Sequence, residues 1–254
     1  MTDELLVEVG AGVMTITINR PEQRNAMTLE VAEAIAGALD ELDSRDDLVV
    51  GVFTGAGGTF CAGMDLKRFA QGERPAIPGR GFGGFTERPP KKPLIAAVEG
   101  WALGGGFELM LACDLAVAGE TARFGTPEVR RGLIARGGGL IRLARRIPQA
   151  IALEMVLTGA PITAARAAAV GLVNDVVAEG EALARARELA AVIASNAPLA
   201  VKVSKAVVLE SLDWRTDEAF ERQVPYADVV FASADAVEGS RAFAERRDPK
   251  WTGR

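Results

Sequence analysis

Residues 13–19 (VMTITIN) are apolar or β-branched and are bounded by Gly12 and Pro21, a pattern that predicts a strand. Thr28 then stands as a helix cap with Glu30 in the first turn, and Ala32, Ile35, Leu39 and Leu42 recur at helical spacing. That spacing predicts a helix with one buried face. Residues 48–54 (LVVGVFT) read as a buried strand ended by a glycine turn at 55–58, and Leu94–Val98 (LIAAV) as another. A helix opens at Gly104, Gly105 and Gly106 and runs through FELMLA, and 114–118 reads as a further strand. Strands alternating with helical segments favour parallel β–α–β units, an α/β fold.

Two stretches depart from this alternation. Residues 71–93 hold five glycines and five prolines, a composition that predicts no regular element, and loops this long are usually functional or disordered. Beyond about Gly132 the pattern turns helical, with helices predicted over 137–147, 149–157, 163–169, 181–195, 199–211, 216–232 and 235–246 and one short strand at 172–177. The expected organisation is a sheet-containing core over 1–195 and a helical region over 196–254, with no internal repeat.

Composition narrows the function classes. With 254 residues, 49% of them apolar and 25% charged, the chain can bury a sizeable core without covalent staples. A net charge of −5 argues against a general nucleic-acid binder. Cys61 and Cys113 sit among small or apolar residues and read as buried reduced thiols, not as a disulfide or metal site. The acidic start, MTDELLVEVG, is no signal peptide, and no stretch reaches the ~18 apolar residues of a membrane span. A cytoplasmic enzyme without membrane contact is expected. The chain has no histidine, which excludes Ser-His-Asp and Cys-His nucleophiles and histidine-based metal sites. Acid–base chemistry therefore falls to Glu, Asp, Lys, Tyr or Cys.

Three segments carry candidate chemistry. In Gly104-Gly105-Gly106-Phe107-Glu108, the glycines allow close approach to the backbone, and the free N–H groups of a helix start suit an anion, including one formed only during a reaction. Glu108 lies three residues after Gly105, on the same helix side. The same residues also fit a helix packed tightly on its strand with a solvated Glu108. The segment 60–66 (FCAGMDL) follows a strand and a glycine turn and precedes a helical stretch; it reads either as the source of a second N–H donor or as an ordinary turn. In Thr126-Pro127-Glu128, Pro takes the first helical position with Thr as cap, so Glu128 falls in the first turn, where an acid also suits the helix dipole at a surface. Residues 79–84 (GRGFGG) lack the Lys-Ser/Thr and the preceding strand of a phosphate loop, and Arg142, Arg145 and Arg146 read as a solvated helix face.

In order and spacing these segments resemble the crotonase (enoyl-CoA hydratase/isomerase) superfamily. The matching stretches are Asn19-Arg20-Pro21 with Asn25-Ala26, FCAGMDL at 60–66, PLIAAVEGWALGGGFELMLACDLAVAGETARFGTPE at 93–128, VLTGAPITAARAAAVGLVNDVV at 156–177, and the closing AFAERRDP. The resemblance implies a spiral of ββα units followed by a helical C-terminal region used in trimer assembly, hence a homotrimer or dimer of trimers. It implies an acyl-CoA thioester as substrate, with the N–H groups of Met64 and Gly105 as an oxyanion hole. It also implies Glu108 and Glu128 as the pair that holds and activates a water, and CoA contacts near Arg24, Ala26, Ala62, Asp65 and Leu66. Neither a metal nor a redox cofactor is called for. The activity implied is syn hydration of a 2-enoyl-CoA. An isomerase or another acyl-CoA lyase of the same fold is the alternative, since isomerases of this group usually manage with the second glutamate alone. A non-catalytic acyl-CoA-binding member is the alternative outside the enzymes. The loop over 71–93 is expected to line or cover the acyl pocket. The chain departs from the family pattern at Ile134-Ala135-Arg136-Gly137-Gly138-Gly139, where many members have a proline–glycine turn, and Arg130, Arg131 and Arg136 add charge there.

Overall fold

Hydrophobic alternation over Leu5–Gly10 (β1) and Val13–Ile18 (β2) builds an antiparallel hairpin, turned at Ala11 and Gly12, both of which have positive φ as a two-residue hairpin turn demands. The computed structural model describes residues 3–254. The remaining strands are β3 (Val50–Gly55), β4 (Ala76–Ile77), β5 (Gly81–Phe82), β6 (Leu94–Val98), β7 (Trp101–Leu103), β8 (Leu115–Gly119), β9 (Arg123–Gly125), β10 (Ile162–Thr163) and β11 (Asp175–Val177). The main sheet has the order β1-β2-β3-β6-β8-β11, parallel from β2 onward. A second sheet, β10-β9-β7, pairs β7 in parallel with β9, and β4 with β5 forms a small hairpin inside the glycine- and proline-rich stretch expected to be irregular. Each step from the main sheet to the second sheet and back through a helix is one turn of the expected spiral.

The helices are α1 (Leu29–Ser44), α2 (Leu66–Ala70), α3 (Gly105–Ala112), α4 (Gly139–Arg146), α5 (Gln149–Thr158), α6 (Ala164–Ala169), α7 (Ala182–Ala194), α8 (Pro198–Glu210), α9 (Ala219–Phe231) and α10 (Ala234–Glu245). Their bounds follow the sequence periodicity to within a few residues. Thr28 caps α1 as expected, its Oγ1 accepting from Val31 N at 3.3 Å. Thr126 does not act as a cap: its hydroxyl is buried without a hydrogen-bond partner among the described residues, and Pro127–Arg131 forms a single 3₁₀ turn.

Both faces of the parallel sheet are covered, which is why its strands read as unbroken apolar runs. One face, with Met14, Ile16 and Phe53, packs on Val31, Ile35, Leu39 and Leu42 of α1 and on α3. The other, with Val50, Val52, Ile95, Ala97 and Val117, packs on the alanine stripe Ala182, Ala186 and Ala190 of α7. Small side chains there let the helix lie close to the sheet. Cys61 and Cys113 are both buried and free, and burial pushes the Cys61 thiol up to about 12.

After α7 the chain turns by 108° into the last helices. Lys205 on α8 ties them to the core, donating to the carbonyls of Pro90 and Lys92 and to Asp114 at 2.6 Å. Large apolar side chains remain open on this region, Phe220, Phe231 and Phe243 among them at 86, 81 and 88% exposure. Among the described residues no single helix is long and apolar enough to cross a membrane.

Candidate active site

The glycine triplet places α3, and each glycine answers a different demand. Gly104 sits at φ 54° and ψ −125°, a backbone region closed to other residues, and turns the chain from β7 into the helix. A β-carbon at Gly105 would overlap the Phe82 ring, and one at Gly106 would overlap the carbonyl of Cys61. The helix start is thus pressed between the 60–65 segment and the β5 hairpin. Every residue from Gly106 to Ala112 is buried, which is normal for a helix apolar all round except that Glu108 is among them, 4% exposed.

The 60–65 segment is held on both edges. Cys61 N donates to Trp101 O at 2.9 Å, and Leu103 N donates to Cys61 O. On the other edge Met27 N donates to Gly63 O at 2.8 Å and Asp65 N to Met27 O at 3.0 Å. Because Met27 bonds residues 63 and 65, the N–H of Met64 between them points the opposite way, toward the start of α3. A β-carbon at Gly63 would lie 3.2 Å from Gly105 N. The two N–H groups singled out in the sequence therefore belong to neighbouring stretches of backbone.

Arg20 and Asn25 fix this arrangement from behind. The buried Arg20 guanidinium donates to Glu4 at 3.0 Å, to Asp65 at 3.2 Å and to the Ala26 carbonyl. Asn25, wholly buried in a left-handed conformation, accepts from Arg20 N and donates to the carbonyls of Ala56 and Thr59. Asp65 also accepts from Lys67 N and Arg68 N, capping α2. Arg24 lends its carbonyl to Ala62 N at 3.0 Å.

A cavity of about 530 Å³ opens in front of these elements. Met64, Gly105, Glu108 and Glu128 all line it, with Ala62 and Leu66. Arg24, Ala26 and Asp65 do not; they back the wall that carries Ala62 and Met64. Arg74, Pro75, Ala76, Phe82 and Glu87 bring the 71–93 stretch onto the same cavity, as expected for that loop, and Arg131, Leu133, Ile134 and Arg136 bring the departing segment. The Arg74 guanidinium lies 3.7 Å from the centre of the Phe69 ring, so this wall combines charge with aromatic surface.

The two carboxylates differ in environment. Glu108 Oε1 accepts from Gly139 N at 2.9 Å, and a β-carbon at Gly137 would lie 2.7 Å from Oε2. Burial pushes the Glu108 carboxyl up to about 7, opposed by the N–H groups of Gly139 and Gly137 and by the charge of Arg142, and reinforced by the charge of Glu128. Glu128, on the 3₁₀ turn, is half-buried, and burial raises its carboxyl too, against the pull of its own backbone N–H and of Arg131. Its Oε2 is buried without a hydrogen-bond partner among the described residues. One carboxylate is thus anchored and the other keeps a free acceptor, both on one cavity, an arrangement able to hold a water and move its protons.

Sequence reasoning missed Phe82, Gly137 and Arg142. Phe82 lay in a stretch without periodicity. The glycines after Arg136 were visible as a departure, but their role as a cradle for Glu108 depends on a contact across 31 residues. Arg142 and Arg146 were expected on a solvated face; both are half-buried, and Arg146 donates to the carbonyls of Leu111 and Cys113.

Comparison with known proteins identifies the family. A family model described as enoyl-CoA hydratase/isomerase matches residues 8–254. Enoyl-CoA hydratase EchA19 of Mycobacterium tuberculosis is 42% identical over 99% of this chain and 97% of its own length. Carnitinyl-CoA dehydratase of Salmonella arizonae is 41% identical over the whole of both chains. The crystal structure of enoyl-CoA hydratase EchA1 from Mycobacterium marinum superposes over the whole of both chains with a TM-score of 0.98 at 53% identity. The chain belongs to the enoyl-CoA hydratase/isomerase family of the crotonase superfamily.

Proposed function

We infer that this protein is an enoyl-CoA hydratase, a hydro-lyase that reversibly adds water across the 2,3 double bond of an acyl-CoA thioester. The observation that carries the reading is the presence of two carboxylates, Glu108 and Glu128, on the cavity that also receives the start of α3 and Met64. The N–H groups of Met64 and Gly105 hold the thioester oxygen. The carboxylate pair takes one proton from the water bound between them as its oxygen attacks C3, the π electrons move through C2 onto the thioester oxygen, and the enolate collapses as C2 takes a proton from the pair on the same face. Donors fixed before the reaction stabilise the enolate more than the ground-state carbonyl. The two acids share one water and titrate as a pair, so the proton steps belong to the dyad. Acyl-CoA is the substrate, and its CoA part runs along Ala62 and Leu66 with Arg24, Ala26 and Asp65 behind them. The apolar faces of α8–α10 assemble the chain into a trimer or a dimer of trimers; a monomer by light scattering at micromolar concentration is the result that removes this part.

The test compares wild type and Glu108→Gln on a 2-enoyl-CoA and a 3-enoyl-CoA. A hydratase consumes the 2-enoyl substrate, with loss of its absorbance, and Glu108→Gln abolishes most of that turnover. Negligible wild-type hydration of any 2-enoyl chain length, with near-wild-type Glu108→Gln rates on the 3-enoyl substrate, makes the protein an isomerase. Tight binding without turnover of either makes it a binding protein.

A further inference from the structure

Arg142 lies on α4, three residues beyond the glycine that binds Glu108. Of the arginines on this helix, Arg145 is exposed and pairs with Asp213 at 3.1 Å. Arg142 instead turns inward. Its Nη2 donates to the carbonyl of Thr86, and its Nη1 lies 3.5 Å from the carbonyl of Gly137, at the limit of a hydrogen bond. Its guanidinium occupies the space that a side chain at Gly138 would need. Gly138, at φ 96°, therefore serves both the turn and the arginine.

The two carbonyls belong to the two stretches that flank Glu108. Gly137 begins the turn whose N–H groups meet the Glu108 carboxylate. Thr86 closes the segment that carries Phe82, and Phe82 rests on Gly105 and on Gly137. One planar fork with several donors can reach both stretches, which a single ammonium cannot do in the same geometry. We propose that Arg142 is a positioning residue for hydration: by bridging the Thr86 and Gly137 carbonyls it holds Glu108 in its glycine cradle and Phe82 against Gly105, and it places a positive charge beside the Glu108 carboxylate. The proposal rests on the reading that Glu108 takes part in hydration.

The electrostatic part depends on what else faces Glu108. Glu128 faces it across the cavity and raises its carboxyl; Arg142 faces it from α4 and lowers it. Glu87 and Arg136 line the same cavity. Arg146, also on α4, is committed to the far end of α3 at Leu111 and Cys113, and burial holds the Cys113 thiol far above its ordinary value, so it stays neutral. The strand β7, Trp101–Leu103, packs on α3 without a charged residue. Loss of the Arg142 charge therefore moves Glu108 toward the protonated form at a given pH.

The experiment measures the pH dependence of hydration for wild type, Arg142→Gln and Arg142→Lys, and in parallel titrates Glu108 in the free proteins by its infrared carboxyl band, identified by its loss in Glu108→Gln. In Arg142→Gln, kcat at neutral pH should fall about tenfold or more from misplacement of the carboxylate, while KM stays within about twofold. The acid limb and the Glu108 band should both move up, the direction set by removing an opposite charge. Arg142→Lys should return the limb to its wild-type position while recovering kcat only in part. A folded Arg142→Gln with an unmoved limb and an unmoved band overturns the proposal, as does an Arg142→Lys limb displaced as far as that of the glutamine variant. Should Arg142→Gln fail to fold, Arg142→Lys decides alone: wild-type kcat overturns the proposal, and a several-fold loss with an unmoved limb supports it. The infrared titration needs no turnover, so a protein that does not hydrate 2-enoyl-CoA removes the functional reading while the Glu108–Arg142 coupling is still measured.

Discussion

The two walls that carry the acids are built on opposite plans. The Glu108 wall is a buried helix closed by the Gly137–Gly138–Gly139 turn, so backbone N–H groups and close packing fix the carboxylate. The Glu128 wall is one 3₁₀ turn that exposes Val129 and is followed by exposed Leu133 and Ile134, and the Glu128 Oε2 has no partner among the described residues. Rigid support on one side and a free acceptor on the other suit the water-sharing role proposed for the pair. The two acids thus differ in hydrogen-bonding capacity: one is committed to backbone N–H groups and the other keeps a free acceptor.

The largest effect should come from the acids. Glu108→Gln and Glu128→Gln should each cut hydration by ~10²–10⁴. The double variant should be far less than multiplicatively worse, because the residues act on one water. Multiplicative losses in steady-state kinetics would show that the two walls work independently. Next is the oxyanion side. Gly105→Pro removes an N–H at a helix position that tolerates proline, but its ring would meet Phe82. In a Phe82→Ala background the ring clash is removed, and turnover should drop a further ~10²–10³ with the lost N–H. An unchanged rate in that background would take Gly105 out of the oxyanion hole.

A smaller effect separates the walls through their glycines. A β-carbon at Gly137 meets the Glu108 carboxylate, whereas one at Gly132, which ends the Glu128 turn at φ 68°, meets nothing within 4 Å. Gly137→Ala should therefore lose on the order of 10–10² in kcat through displacement of the carboxylate. Gly132→Ala should keep its kcat within about twofold and lose ~1 kcal/mol of stability to the left-handed backbone. Equal kinetic losses from both would mean that Glu128 is held as tightly as Glu108.

Much of this site was legible in the sequence, and the limits have physical reasons. α1, β3, β6 and α3 are long or strongly patterned, and the glycine triplet marks a turn and two close approaches that other residues cannot occupy. The strands β7, β9 and β10 are two or three residues long and carry no period of their own. β1 is an edge strand with one exposed face, and its start merges with the acidic terminus. Thr126-Pro127 has the composition of a cap, but a single 3₁₀ turn offers the hydroxyl no N–H in reach. Arg142 and Arg145 share a helix and a charge, but Arg142 turns inward to the Thr86 carbonyl while Arg145 meets Asp213. Such choices depend on residues tens of positions away, which local periodicity does not encode.

The smallest effect is on stability, and its sign follows from the protonation states. The Glu108 carboxyl titrates near 7 in the folded protein against an ordinary 4.5. Below the lower value both states hold the proton and the site carries no penalty. Between the two values the unfolded chain releases its proton first, so folding stability is lost as pH rises, and above about 7 the loss is complete. That interval corresponds to roughly 3 kcal/mol against the buried carboxylate. Glu108→Gln keeps the shape without the charge, so it should be more stable than wild type at pH 8 by up to that amount. The gain should shrink through the interval and vanish near pH 4. Glu128 is raised in the same direction but is only half-buried, and water screens part of its charge. Glu128→Gln should therefore show a gain of the same sign and smaller size. Chemical denaturation of both variants across pH measures the two gains side by side. A gain for Glu128→Gln as large as that for Glu108→Gln would mean that the open wall desolvates its acid as fully as the closed one, and the contrast between them would lose its electrostatic half.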